Sequence, residues 1–391
     1  MDNFMFCSPT YFSFGKGMEN SVGELVKKFG GSKVLVHYGS KSAEKSGLID
    51  RVKASLEKEG IPYVLLGGVQ PNPRSSLVYK GIELCRKENV DFILAVGGGS
   101  AIDSSKAIAG GVLYDGDFWD HHCGVPIEKA LPVGTVLTIA AAGSEGSGNT
   151  VITHENGMLK RGCRTEILRP KFSVLNPELT CTLPAYQTAC GITDILAHLY
   201  ERYLTNSKNV EVTDRIIEAL MLTVINQGKK VINDPFDYEA RANIMWAGTL
   251  AHNNVCGVGR TQDWNSHALE HELSGLYDCA HGAGLAVVMP AMFKYVMEKN
   301  VMLFAQVAVR VWGCNMDFEH PENTALEGIE KLQEFLCYIG MPKNFKELDA
   351  KESDIPYLAH TLCYGNGRTG TVSGYIDITE DVAEKIYKLM L

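Results

Sequence analysis

The chain has 391 residues, 45% of them hydrophobic and 21% charged, with a formal net charge of −9. That length is ample for two domains with sizeable cores, and the composition is that of a soluble globular protein without low-complexity tracts. The acidic balance argues against nucleic acid or an anionic membrane surface as the main partner.

The start, MDNFMFCSPTYFSF, lacks a basic run and an uninterrupted apolar core, so no secretory signal is expected. The longest apolar run, GLAVVMPAMFKYVM, is broken by Pro290 and Lys294 and is too short to span a bilayer. Eleven scattered cysteines fit reduced thiols in a cytoplasm better than a disulfide framework. Before Pro184 basic residues exceed acidic ones by one, whereas after it acids exceed bases by ten. The first part is therefore the better host for phosphates.

In chain order, residues 4–14 are rich in aromatic and β-forming types and predict one or two short strands broken at Pro9, suited to pairing with a second copy. Helices are expected over Glu19–Phe29, Ala43–Glu59 and Leu77–Glu88, alternating with strands at Lys33–Tyr38, at IPYVLLGG and at Asp91–Val96. Strand alternating with helix indicates a Rossmann-like α/β domain whose parallel sheet is covered on both faces. From Ala185 onward helix follows helix, with apolar residues at helical spacing over Val210–Val231, Ala240–Asn253, Leu269–Gly275, Met302–Val311, Ala325–Cys337 and Ile378–Lys388. The expected division is an α/β dinucleotide-binding domain over 1–184 and an all-helical, metal-binding domain over 185–391.

Two stretches carry chemistry. In DFILAVGGGSAIDSSKAIAG a buried strand runs into Gly97, Gly98 and Gly99 and then a helix opened by Ser100. Glycines let backbone approach a ligand, and the bare N–H groups of a helix start attract phosphate oxygens, so this junction reads as a pyrophosphate cradle. It is neither GxGxxG nor a P-loop, and a simple tight turn has the same composition. AAGSEGSGNT, after the strand VGTVLTIA, is too small and flexible for a core segment; Thr138, Ser144 and Asn149 offer polar partners to a ligand there, as does Lys160 in ENGMLKRG.

The second stretch holds Asp194 and His198 four apart in GITDILAHLYERY, His267 and His271 four apart in WNSHALEHELSG, and His281 at a helix start after GLYDCAHG. Residues four apart share a helix face. One carboxylate and three imidazoles, Asp194, His198, His267 and His281, suit Fe²⁺, Zn²⁺ or another first-row divalent ion. Such pairs also arise on packed helices, so spacing alone leaves both readings open.

Taken jointly, FGKG at 14–17, PNPR at 71–74, GGGSAID at 97–103, AAGSEGSG at 141–148, TLP at 182–184, TDILAHLYERY and HALEHELSGLYDCAHGAG make the chain similar, over nearly its whole length, to the iron-dependent (group III) alcohol dehydrogenases, in their butanol dehydrogenase and aldehyde reductase branch. The resemblance implies a dehydroquinate synthase-like architecture, Fe²⁺ with Zn²⁺ as an alternative, and a homodimer joined through the N-terminal strand. It places the metal on the same four residues. It matches Gly97, Gly98 and Ser100 to the cofactor-phosphate turn and Thr138, Ser144 and Lys160 to further cofactor contacts, beside which Gly99 and Asn72 are also candidate cofactor-binding residues, and it sets Asp103 beside the nicotinamide ribose and substrate. His271 matches a histidine thought to assist proton transfer. One departure is Ile139-Ala140, where the family often has Leu-Pro.

After the first nucleotide-binding strand the chain has Gly39, Ser40 and Lys41, with no acid to repel a 2′-phosphate, so NADPH is expected over NADH. The expected reaction is hydride transfer between nicotinamide and a small primary alcohol or aldehyde such as butanol or butanal. Glycerol dehydrogenase, dehydroquinate synthase and a non-catalytic nucleotide- or metal-binding protein are the alternatives. Trp264, Leu269, Leu285 and Val288 near the ligand segments favour a small, mostly apolar substrate over an anionic one.

Overall fold

The computed structural model describes residues 1–39, 41–365 and 368–391, apart from the Lys41 and Ser42 side chains. Ser40 and the Lys41 side chain, both expected at the cofactor, lie outside the described residues. The chain forms two compact units. One is an α/β unit of Cys7–Leu183 with Gly248–Asn253, and the other is a helical unit of Met1–Phe6, Pro184–Ala247 and Asn254–Leu391.

Strands of the α/β unit are β1 (Tyr11–Phe14), β2 (Val34–Gly39), β3 (Tyr63–Val69), β4 (Phe92–Gly97), β5 (Val133–Leu137), β6 (Asn149–His154), β7 (Leu159–Arg164) and β8 (Phe172–Leu175). Its helices are α1 (Val22–Lys28), α2 (Lys41–Lys45), α3 (Leu48–Lys58), α4 (Ser75–Glu88), α5 (Gly99–Val112) and α6 (Trp119–His122). Six strands form one parallel sheet in the order β1-β8-β5-β4-β2-β3, and β6 and β7 form an antiparallel hairpin. Alternation along the strands buries both faces. Val34, Val36, Phe92, Leu94 and Val96 pack with α1 and α3, while Leu35, Ile93 and Val133 pack with α4 and α5.

From β2 the chain moves outward to β3, then returns past β2 to β4, so the winding direction reverses between β2 and β4. Their carboxyl ends lie side by side, Tyr38 opposite Val96. In open parallel sheets that reversal opens the crevice where ligands bind.

Two expectations change. Residues 4–10 form no strand: only Tyr11–Phe14 pairs, in parallel with β8, because the residues before it turn to other partners. The Met1 amino group donates to Lys208 O at 2.6 Å and the Asp2 N–H to Gly259 O at 2.9 Å, which places this segment with the helical unit. The single helix expected over Ala43–Glu59 is two, because Gly47 takes φ +70° between α2 and α3.

The helical unit contains α7 (Ala185–Tyr203), α8 (Glu211–Asn233), most of α9 (Tyr238–His252), α10 (Asn265–Tyr277), α11 (His281–Val296), α12 (Val301–Trp312), α13 (Pro321–Tyr338), α14 (Ile355–Tyr364) and α15 (Glu380–Lys388). Pro184 precedes α7, and Asp278 at φ +51° ends α10 three residues before α11 begins at His281. Pro290 sits inside α11, where its helix runs on through the expected break. Among the described residues no helix is long and apolar enough to cross a membrane.

Candidate functional site

On α7, Asp194, His198 and Glu201 follow one another at helical spacing, so one stripe of a buried helix carries three polar side chains. Such burial is costly unless the groups find partners. α10 contributes His267 and Glu270, and the first residue of α11 is His281.

Of the four residues expected to hold a metal, the three histidines lie around Asp194. From Asp194 Oδ1, His198 Nε2 lies at 3.3 Å, His267 Nε2 at 3.7 Å and His281 Nε2 at 3.9 Å. Asp194, His267 and His281 each offer a ligand atom within 4.8 Å of the others. Asp194 Oδ1 and His267 Nε2 are buried and make no hydrogen bond. Orphaned acceptors of this kind are rare in native interiors. That oxygen of Asp194 and two ring nitrogens, with His198 Nε2 at 3.3 Å from the same oxygen, form a donor set that fits a first-row divalent cation.

The outer faces of two imidazoles are held by carboxylates absent from the sequence reading. His267 Nδ1 donates to Glu201 Oε2 at 2.5 Å, while the His267 N–H donates to Glu201 Oε1 at 3.0 Å. His281 Nδ1 donates to Glu270 Oε2. A proton fixed on Nδ1 leaves Nε2 bare and makes it a stronger base, the usual support for a metal-binding histidine. Burial works against charge on His267, but Glu201 and Asp194 together outweigh it and lift its pKa to about 9. His198 differs, since its Nδ1 lies 3.3 Å from Arg202 Nη1, a group that can only donate.

Trp264 stands against this cluster, its ring 5.8 Å from His198 and 5.4 Å from His267, with the Arg202 guanidinium 4.1 Å over its face. Leu269, Leu285 and Val288, the other apolar residues of these segments, are fully buried. His271 is half-buried, its ring 5.6 Å from that of His281 and 6.3 Å from that of His267.

In the α/β unit, β4 ends at Gly97 and α5 begins at Gly99 without a side-chain cap. A Cβ on Gly98 would come within 2.2 Å of Ile139, so only glycine fits there. The bare amides of the first turn of a 14-residue helix thus face the reversal point of the sheet, an arrangement suited to a pyrophosphate. Gly39 closes β2 beside it, its amide 3.8 Å from where a Gly97 Cβ would sit. Thr138 donates its N–H to Gly97 O at 3.0 Å. Asn72 is buried at φ +51°, and Lys160 is buried in β7 opposite Thr153 rather than exposed in a turn.

The AAGSEGSG segment is not an open loop: Ser144, Glu145 and Ser147 are buried. Its reason is Lys106 of α5, a fully buried cation that the sequence reading passed over as an ordinary helix lysine. Lys106 Nζ donates to Ser144 O, Ser144 Oγ, Ser147 O and Asn149 O at 2.7–2.9 Å. Asp103, one turn earlier, accepts from Ser144 Oγ at 2.5 Å and from the Val151 N–H at 2.9 Å. Asn149, expected at a ligand, places its amide 2.9 Å from His252 Nε2.

Comparison with known proteins accords with both halves. The family model for iron-containing alcohol dehydrogenases matches residues 9–177, and that for the C-terminal part of the Fe-containing alcohol dehydrogenase family matches 188–391. The chain is 40% identical over 390 residues to NADH-dependent butanol dehydrogenase A of Clostridium acetobutylicum, covering 99% of each. It is 34% identical over 392 residues to an NADPH-dependent aldehyde reductase of Escherichia coli, again covering 99% of each. Among solved structures, NADH-dependent butanol dehydrogenase A of Thermotoga maritima superposes with a TM-score of 0.96 at 40% identity, covering 100% of this chain and 99% of that one. The chain is therefore an oxidoreductase that belongs to the iron-containing alcohol dehydrogenase family.

Proposed function

We propose that the chain interconverts small aldehydes and primary alcohols with NAD(P)H, using a divalent ion held by Asp194, His198, His267 and His281. The observation that carries this reading is the convergence of three Nε2 atoms on the orphaned, buried Asp194 Oδ1. When bound, the ion draws electron density from the carbonyl oxygen and the nicotinamide supplies the hydride. Iron is the family's namesake metal, and zinc accepts the same donors.

The chain's own residues do the rest. Glu201 and Glu270 hold His267 and His281 in the tautomer that presents Nε2. Gly97, Gly98, Gly99 and Ser100 bind the pyrophosphate with backbone N–H groups, and Asn72, Thr138, Ser144 and Lys160 stand around it. Asp103 orients the nicotinamide ribose. His271, beside the ligands but not among the converging four, returns a proton from a ring nitrogen to the product oxygen. Trp264 walls the substrate side and favours small apolar aldehydes.

NADPH is the preferred cofactor, because Gly39, the last residue of β2, and Ser40 and Lys41 after it include no carboxylate to repel a 2′-phosphate. β1 is an edge of the sheet, with Tyr11 and Phe14 exposed, and pairs two copies into a homodimer. No disulfide joins the described cysteines, in keeping with a cytoplasmic enzyme.

The test is loss of nicotinamide absorbance with butanal in protein reconstituted with Fe²⁺ or Zn²⁺. Turnover is expected only with metal, and with a kcat/KM about twofold or more higher for NADPH than for NADH. Metal-loaded protein that oxidises neither cofactor with any short aldehyde sinks the reading, and a strong preference for NADH sinks the cofactor choice alone.

A further inference from the structure

We propose that Lys106 is a positioning residue for the dinucleotide: its buried ammonium fixes the 144–149 segment and, through the Ser144 hydroxyl, the carboxylate of Asp103. The inference rests on the reading of the Gly97–Ser100 junction as a cofactor cradle.

Ser144–Gly148 is buried backbone, one 3-10 turn followed by a bend, that leads into half-buried Asn149 at the start of β6, and it is short of the ladder bonds that a strand or long helix would provide. Buried carbonyls need donors, and each of these six has a named one. Glu145 O accepts from Ser173 Oγ at 2.6 Å, Gly146 O from Arg169 Nη1, and Gly148 O from the Thr165 N–H at 3.1 Å. The other three, on Ser144, Ser147 and Asn149, all converge on Lys106 Nζ. An ammonium has three protons, so its four contacts use its whole donor capacity. No carboxylate is needed at contact distance to hold the charge there; the carbonyl cage does it.

Coupling to Asp103 is directional. Lys106 only donates, so the Ser144 hydroxyl accepts from it and must turn its own proton toward Asp103 Oδ1. The Val151 N–H fixes Asp103 Oδ2, and Thr150 Oγ1 donates to Asp103 O at 2.8 Å. The first two turns of α5 are thereby strapped to the segment at residues 103 and 106. The same segment's approach lies against the glycine turn, since a Gly99 Cβ would sit 3.4 Å from the Ala142 Cβ. Methionine in place of Lys106 would fill its volume but leave Ser147 O and Asn149 O without their donor and Ser144 O with only the Ser147 N–H at 3.3 Å, and the segment would move to find water.

The test measures NADPH dissociation constants by fluorescence in the full-length, metal-loaded enzyme for wild type, Lys106→Met, Asp103→Asn and the double variant. Lys106→Met should raise Kd about tenfold with metal content unchanged, and the double variant should be no worse than the weaker-binding single, because both act through one carboxylate. An unchanged Kd in folded Lys106→Met, multiplying effects in the double variant, or metal lost along with the cofactor would each overturn the proposal. If Lys106→Met does not fold, Ser144→Ala, which removes the hydroxyl between Lys106 Nζ and Asp103 Oδ1 and keeps the Ser144 carbonyl, enters the same cycle with Asp103→Asn, where multiplying effects again refute it. Wild-type enzyme that binds no NADPH or NADH would instead remove the cradle reading itself.

Discussion

Two buried histidines, one in each compact unit, sit in opposite surroundings. His37 of β2 has both ring nitrogens engaged, Nδ1 with Leu66 O and Nε2 with Ser104 Oγ, each at 2.8 Å, and burial pushes its pKa down to about 4. His267 of α10 faces Asp194 and Glu201, which lift it to about 9, and its Nε2 makes no hydrogen bond. The α/β unit excludes charge from its histidine, as a scaffold does. The helical unit favours a positive charge beside Asp194 and Glu201, and Asp194 Oδ1 and His267 Nε2 make no hydrogen bond there. Lys106 belongs with His37: it is charged, yet its donors are used up by its own chain.

That contrast breaks most readily at the ligands. Replacing His267 or Asp194 with alanine should abolish metal retention and lower kcat/KM by about a thousandfold or more, since a bound ion supplies several kcal/mol of charge stabilisation. Metal analysis of the purified variants beside steady-state kinetics decides it, and a His267→Ala enzyme that keeps metal and rate would show the convergence to be mere packing. His198→Ala should cost less than His267→Ala, because His198 has the Arg202 guanidinium rather than a carboxylate against its Nδ1. Chelation should reproduce the loss, and added Fe²⁺ or Zn²⁺ should reverse it.

How much of this was legible in the sequence follows from the same physics. Asp194 with His198 could be read because a four-residue spacing fixes a shared helix face, and the glycine junction because few other residues tolerate its contacts. Glu201 and Glu270 lie three residues past His198 and His267, a signal available in principle. Yet each supports a histidine on another helix, Glu201 the His267 of α10 and Glu270 the His281 of α11, and spacing along one helix does not reveal that crossing. Lys106 was passed over because a helix lysine is normally solvated. Without it, the small residues of 141–148 looked like an exposed loop. The N-terminal strand was overextended because β-forming composition says nothing about which partner a segment meets.

The acid limb of stability probes the scaffold side. The folded-state pKa of His37 lies near 4, below the 6.5 of an unperturbed histidine, so between those values the unfolded chain binds the proton that the folded chain refuses. Stability is therefore fully present above about pH 6.5 and falls as pH drops toward 4, by about 3 kcal/mol from this residue. Raised carboxyls at Asp103 and Glu145 act in the opposite sense at low pH, so the useful measurement is a difference. The denaturant midpoint of His37→Asn should be lower than that of wild type at pH 7 but should decline less steeply toward pH 4. Parallel slopes would mean that His37 is not held neutral.

The smallest expected effect sharpens the ligand side, because it separates the ion's direct donors from the groups behind them. Glu201→Gln keeps the volume and one acceptor for the His267 N–H, but it removes the charge and can turn an amide N–H toward Nδ1, favouring the tautomer with its proton on Nε2. Metal affinity measured by chelator competition should fall roughly 10- to 100-fold, with kcat of the fully loaded enzyme changing less. Glu270→Gln should act in the same direction more weakly. The His281 side chain is 25% exposed against 6% for His267, so solvent screens the pair that Glu270 completes. Equal affinities for wild type and both variants would show that these carboxylates merely fill the helix interface, and would leave the four converging atoms to hold the ion unaided.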